Sequence, residues 1–207
     1  MFGTKKKTRN TIITFIVIGG VIGGTFAGFA IFQATMNTSI PVVVVTSGSM
    51  KPTIQRGDIL FVQNVPHDQI IPGDHLERNG SIIVYETEGL WVFPLQEPVV
   101  HRVVDKKFEN DTYYFLTQGD NVITNPNPDD YWVPYDHVYG KVVGQIPWIG
   151  NIKLFLDDTG MTIPLLVLFA LLLVISIVWD LVHPENKNDD KKDKSKVSKI
   201  NNEKTYS

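Results

Sequence analysis

The sequence has no cysteine. That excludes disulfides, thiolate-bound zinc or iron–sulfur sites, and a thiol nucleophile. It has no surplus of basic charge: 19 Lys and Arg stand against 22 Asp and Glu, a formal net charge of −3. A nucleic-acid binder would show a basic patch or a high pI, so no nucleic acid is expected as a partner. No internal repeat is visible. No residue cluster has the ligand count for a metal or an organic cofactor, so neither is expected.

Charge is also missing locally, and this absence is informative. No residue between Arg9 and Lys51 is charged, and Ile12–Phe32 is almost wholly apolar. As a helix those residues would extend about 31 Å, at roughly 1.5 Å per residue. That matches a hydrocarbon core of roughly 30 Å. Thr159–Trp179 is again uncharged, and Pro164–Trp179 is dense in Leu, Ile, Val and Phe. The apolar core of a cleavable signal peptide is shorter, roughly 7–15 residues, so two membrane spans are the better reading.

The charges that remain give an orientation. Lys5, Lys6, Lys7 and Arg9 precede the first span, and a lysine-rich tail follows the second. The stretch between holds eight basic and 16 acidic residues. By the positive-inside rule both termini are cytoplasmic and the intervening domain lies across the membrane. The expected organisation is a cytoplasmic N-terminus over 1–10, a first transmembrane helix over 11–33 and an extracytoplasmic domain over 36–158. A second transmembrane helix over 161–181 and a polar tail over 182–207, expected to be disordered, complete it.

Within 36–158, β-branched and aromatic runs alternate with turn residues. Ile40–Val45, Ile59–Val65, Ser81–Glu86, Leu90–Phe93, Val99–Asp105, Thr112–Thr117 and His137–Gln145 read as strands. Asn79-Gly80 is a strong turn signal before the third of them. No apolar stretch here keeps a 3.6-residue period for ten residues. The domain is therefore expected to be mainly β and antiparallel.

Three places in it carry chemistry. Thr46-Ser47-Gly48-Ser49-Met50-Lys51-Pro52-Thr53 ends a β run in two serines around a glycine. Such a turn can present a hydroxyl and backbone N–H groups to one point. A serine needs a base to take its proton before it attacks, and N–H and hydroxyl donors can hold the resulting oxyanion. Pro98-Val99-Val100-His101-Arg102-Val103-Val104 sets a histidine in a valine-rich strand. Histidine titrates near neutrality without help, which suits a general base. A histidine base predicts activity rising through about pH 6–7, whereas a lysine base, with Lys106 or Lys107 the nearest, predicts a rise above about pH 8–9. Thr117-Gln118-Gly119-Asp120-Asn121 and the following Asp129-Asp130 supply carboxylates that could orient the histidine. Each place alone also reads as an ordinary loop or strand.

In this order, the three places resemble type I signal peptidases of the archaeal and endoplasmic-reticulum branch. Ser47–Thr53 is similar to that family's nucleophile box, His101-Arg102 to the box that carries histidine in this branch, and Gly119-Asp120-Asn121 to its acidic box. The resemblance spans roughly Ile40–Gly150 and implies a signal-peptidase-like β catalytic domain between the two transmembrane helices. It implies Ser49 as nucleophile and His101 as general base, with Ser47 and the backbone N–H of Ser49 as the oxyanion hole. Asp120 matches the first acidic position and Asp129 the second, with Asp130 beside it as the alternative. The implied activity is a membrane-bound serine endopeptidase that removes signal peptides at Ala-x-Ala-like sites. Its partners would be preprotein signal peptides and the lipid bilayer, with a secretion translocon as a further candidate. A two-span enzyme able to act alone favours an archaeal plasma membrane over the endoplasmic reticulum. The rival readings are a non-catalytic membrane-anchored β scaffold and a related serine protease with another target.

Gly89–Leu95 is unusually aromatic for a loop-and-strand segment, and the apolar Pro147-Trp148-Ile149 and Leu154-Phe155-Leu156 lie shortly before the second apolar stretch. Tryptophan favours the membrane–water interface, so one or both are expected to dip into the headgroup region. A place in the core is the alternative for 89–95.

Overall fold

The computed structural model describes residues 3–182. The tail expected from the sequence lies, from residue 183 on, outside the described residues. The chain divides into two compact units at Phe155/Leu156.

The first unit begins with helix α1, Gly3–Met36. Its segment Ile13–Met36 is long and apolar enough to cross a membrane, and none of it is buried within the protein. The helix outlasts the apolar run, and its end is tied to the domain. The carbonyl of Met36 accepts the Asn64 N–H at 3.0 Å, and Phe32 meets Phe61 edge-on at 6.2 Å. The second unit carries helix α3, Thr162–Val182, whose Thr162–Trp179 segment meets the same membrane criterion.

Between the two helices in sequence lies one seven-stranded antiparallel sheet. Its strands are β1 (Val42–Val44), β2 (Ile59–Gln63), β3 (Ile82–Tyr85), β4 (Val99–Glu109), β5 (Thr112–Gln118), β6 (Val133–Pro134) and β7 (Val138–Ile146). The spatial order is β1-β2-β7-β3-β4-β5-β6. The expected mainly β, antiparallel class is what the chain adopts.

The sheet buries side chains on both faces, as the period-2 pleat allows. One face of β3 and β4 contributes Ile83, Tyr85, Val99 and Val103 to a cluster with Phe115, Val133 and Val138. On the other face, Ile82, Val100 and Val142 pack against Val45, Met50, Ile54 and Leu60. Burying a side chain such as Met50 or Ile54, each 1% exposed, contributes about 1.5–3 kcal/mol. The segment after Ser49 is therefore fastened to the sheet by its own apolar residues.

The loop carrying the serines is closed by Asp58, 1% exposed. Its carboxylate accepts the Gln55 N–H at 2.7 Å, the Gln145 amide at 2.7 Å and the Trp148 N–H at 3.1 Å. Gly57 beside it has φ +89°, and a Cβ there would lie 2.1 Å from the Asn151 side chain. Only glycine fits this corner.

The fold departs from the sequence reading in three places. Leu90–Phe93 forms no strand. The Thr87 carbonyl accepts both the Leu90 and Trp91 N–H groups, the Thr87 hydroxyl accepts that of Leu95, and Gly89 sits at φ +74°. Those bonds coil the segment, and Pro94 and Pro98 offer no N–H for a ladder. Conversely, β6 and the helix α2, Asn151–Asp158, were not foreseen. Two residues of strand and eight of helix are too short to show a period.

The aromatic segment 89–95 is split in its packing. Leu90 and Trp91 pack against the first core cluster. Val92 and Phe93 point outward, 74% and 85% exposed.

Candidate active site

The two serines flanking Gly48 face each other, with Ser47 Oγ 3.3 Å from Ser49 Oγ. Both remain accessible, while the next residue, Met50, is buried. The loop is held from the far side by the turn after β5. The Asn121 N–H donates to the Ser49 carbonyl at 2.8 Å, and the Asn121 amide donates to the Gly48 carbonyl at 3.0 Å. Gly119 lets these backbones meet. A Cβ there would lie 2.6 Å from the Ser49 carbonyl oxygen and 2.7 Å from the Asn125 side chain.

His101 lies on β4, 5% exposed, paired with Ile83 of β3. Its Nδ1 is 2.7 Å from Asp129 Oδ2. With Nδ1 donating to that carboxylate, the neutral ring keeps its lone pair on Nε2, the nitrogen able to accept a proton. Asp129 reaches the histidine because its own N–H is bonded to the Thr117 carbonyl at 2.8 Å, which docks the 124–131 loop on β5. Asp129 also lines a cleft of about 370 Å³ together with Trp91, Val92, Phe93 and Tyr131.

Successive residues of a strand point to opposite faces, and β4 uses this to separate two carboxylates. Arg102, next to His101, turns to the other face. Its Nε and Nη2 donate to the two oxygens of Asp120, both at 2.7 Å. Its Nη1 donates to the carbonyls of Asn79 and Gly80 at 2.9 and 3.2 Å. Thr53, at the end of the serine loop, donates its hydroxyl to Asp120 Oδ2. The structure thus brings His101 to Asp129, and Asp120 to Arg102 and Thr53. Asp130 is exposed.

Three connections therefore meet at one end of β4 and β5: the serine pair, the His101–Asp129 pair and the Asp120–Arg102 clamp. The turn Gly119–Asn121 joins the serine loop to β5, where Gln118 pairs with Arg102. Among the described residues no hydrogen bond joins the Ser49 hydroxyl to His101. The two lysines considered as alternative bases are engaged elsewhere. Lys106 Nζ donates to the His67 carbonyl at 2.7 Å, and Lys107 pairs with Glu109 at 2.7 Å.

Reasoning from sequence gave no role to Thr53, Tyr85, Thr117 or the side chain of Asn121, although Thr53, Thr117 and Asn121 lie within the motifs it singled out. Tyr85 and Thr117 look like ordinary strand residues. Only the register, which sets β3 and β5 on either side of His101, reveals them.

No family model matches the chain. Individual proteins do. The signal peptidase complex catalytic subunit SEC11 of Candida albicans is 31% identical over 155 residues, covering 72% of this chain and 86% of that protein. Its namesake from Candida tropicalis has the same identity and coverage. The one from Debaryomyces hansenii is 30% identical over 156 residues, again 72% and 86% of the two chains. The antiparallel β domain, its flanking membrane-capable helices and this similarity together assign the class: the chain belongs to the signal peptidase family, in the branch of the SEC11 catalytic subunits. None of these relatives supports the preference for an archaeal plasma membrane, which rested on a chain acting alone; each is named as a subunit of a complex.

Proposed function

We propose that this protein is a membrane-bound serine endopeptidase that removes signal peptides from preproteins, cutting after small residues of the Ala-x-Ala kind. The observation that carries the reading is the serine hydroxyl pair hung on the same turn of β5 that adjoins the His101–Asp129 pair. In the reaction Ser49 Oγ attacks the scissile carbonyl carbon while His101 Nε2 accepts the hydroxyl proton. The carbonyl π electrons move to oxygen, where the Ser47 hydroxyl and the Ser49 N–H stabilise the charge. Collapse of that intermediate expels the amine of the mature chain, which takes the proton from His101. Water, deprotonated by the same histidine, then hydrolyses the acyl-enzyme. Asp129 keeps the imidazole in the tautomer this sequence requires.

The substrate's signal helix lies in the bilayer, so an enzyme anchored beside it meets the cleavage site without a search. We place both termini in the cytoplasm, with the spans over 11–33 and 161–181 and the domain over 36–158 across the membrane. Exposed Val92, Phe93, Trp148 and Ile149 suit contact with the headgroup region. The relatives' names support work within a complex, and the resemblance of the serine and histidine motifs suits a membrane of the endoplasmic-reticulum type.

A serine-directed phosphonate probe separates this reading from a scaffold. It is expected to label the wild-type chain and not Ser49→Ala; equal labelling of both, or of neither, contradicts the reading. Gly119→Ala tests the loop's placement. The added methyl cannot fit against the Ser49 carbonyl, and a displacement of about 1 Å lowers rates about 10²-fold. Preprotein cleavage by the folded variant is expected to fall by that order, and an unchanged rate would show that the loop's position is not critical.

A further inference from the structure

We propose that Thr117 and Tyr85 are positioning residues: their hydroxyls fix Asp129 and share its negative charge, so that it orients His101 without binding the imidazole proton too tightly. The inference deepens the reading of His101 as general base and rests on it.

The geometry is specific to one oxygen. Asp129 Oδ2 receives His101 Nδ1 at 2.7 Å, the Tyr85 hydroxyl at 3.2 Å and the Thr117 hydroxyl. The two hydroxyls are also 3.1 Å apart. Both residues are fully buried, with 0% exposure. They stand on β3 and β5, the two strands flanking the one that carries His101, with side chains on the same face. The clamp is needed because Asp129 ends the loop Asn125-Pro126-Asn127-Pro128 and borders the open cleft. Unheld, its carboxylate could turn toward water there.

Two further facts fit a lasting role. Burial first, and the charge of Asp129 second, push the Tyr85 hydroxyl well above its ordinary pKa. Tyr85 therefore stays a neutral donor across the working range of pH. The backbone bond from Asp129 to Thr117 does not depend on either hydroxyl, so the loop stays docked when a hydroxyl is removed. The titratable groups around Asp129 are His101 on β4, Tyr85 on β3, and Asp130 and Tyr131 following it in its own loop and lining the same cleft; Thr117 is the contact from β5. Arg102 and Asp120 satisfy each other on the opposite face.

Hydrogen bonds to a charged group favour its charged form. Removing one from Asp129 concentrates charge on the oxygen facing Nδ1 and strengthens the hold on the imidazolium. The test uses the full chain in lipid nanodiscs, as wild type, Thr117→Val, Thr117→Ser and Tyr85→Phe. The pH–rate profile of preprotein cleavage is read alongside a pH titration of the histidine ring signals in nitrogen-15-labelled protein, with His101 assigned by its loss in His101→Gln. In Thr117→Val and Tyr85→Phe the His101 transition and the acid limb of the rate are expected to move together to higher pH than in wild type. Thr117→Ser, which keeps the hydroxyl, is expected to behave as wild type. A Thr117→Val protein whose His101 signal titrates as in wild type overturns the inference, whatever its activity. A shifted titration in a chain that never cleaves supports the inference and contradicts the functional reading instead.

Discussion

Asp129→Asn is expected to fold as wild type and to cleave preprotein about 10³–10⁴-fold more slowly. Asp129 is bonded to the Nδ1 of His101 as an acceptor. An asparagine amide in that position can donate to Nδ1, which then carries the lone pair and leaves the proton on Nε2. Nε2, the nitrogen proposed to serve Ser49, would then be unable to take a proton. Geometry is preserved, so the loss is one of rate and not of substrate affinity: kcat falls and KM holds. Asp130→Asn, one residue on and exposed, is expected to change neither. The check is steady-state cleavage by the two variants side by side, with melting curves to show equal folding. Equal effects from Asp129 and Asp130 would sink the assignment of Asp129 as the residue that orients His101.

Asp120→Ala is expected to produce the opposite pattern, a large loss of stability. The Arg102 and Asp120 side chains are 2% and 0% exposed. Removing one partner of a buried pair leaves an uncompensated charge and costs about 3–5 kcal/mol. In Asp120→Ala the guanidinium keeps only the carbonyls of Asn79 and Gly80. Against a total of about 5–15 kcal/mol for an ordinary domain, the loss brings the fold close to its limit. It also frees Thr53 and with it one end of the serine loop. Chemical denaturation of the detergent-solubilised chain reads the effect. A midpoint within error of wild type would show that the pair contributes no net stability.

The two aspartates illustrate how much the sequence makes legible. Their type and order were visible beside the serine and histidine motifs, because turn residues and charges in a β-rich chain stand out. Their division of labour was not. It depends on which face of β4 each neighbour meets, and that follows from the strand register and the docking of the 124–131 loop. The apolar spans and the β class were legible for a similar reason, since long runs and period-2 patterns leave a mark on composition. Leu90–Phe93 misled because β-favouring residues were coiled by Thr87 and two prolines. The two residues of β6 and eight of α2 were too short to leave any periodic mark. Tyr85 and Thr117 were hidden because a strand tyrosine and threonine are unexceptional until the partner across the sheet is known.

The most direct test of the account is preprotein cleavage by the full chain in bilayers, comparing wild type with Ser49→Ala and reading the new N-terminus by mass spectrometry. The account predicts that wild type cuts once, after the last residue of an Ala-x-Ala signal, and that Ser49→Ala, equally folded and inserted, does not cut. Cleavage retained in Ser49→Ala at the same bond would contradict it.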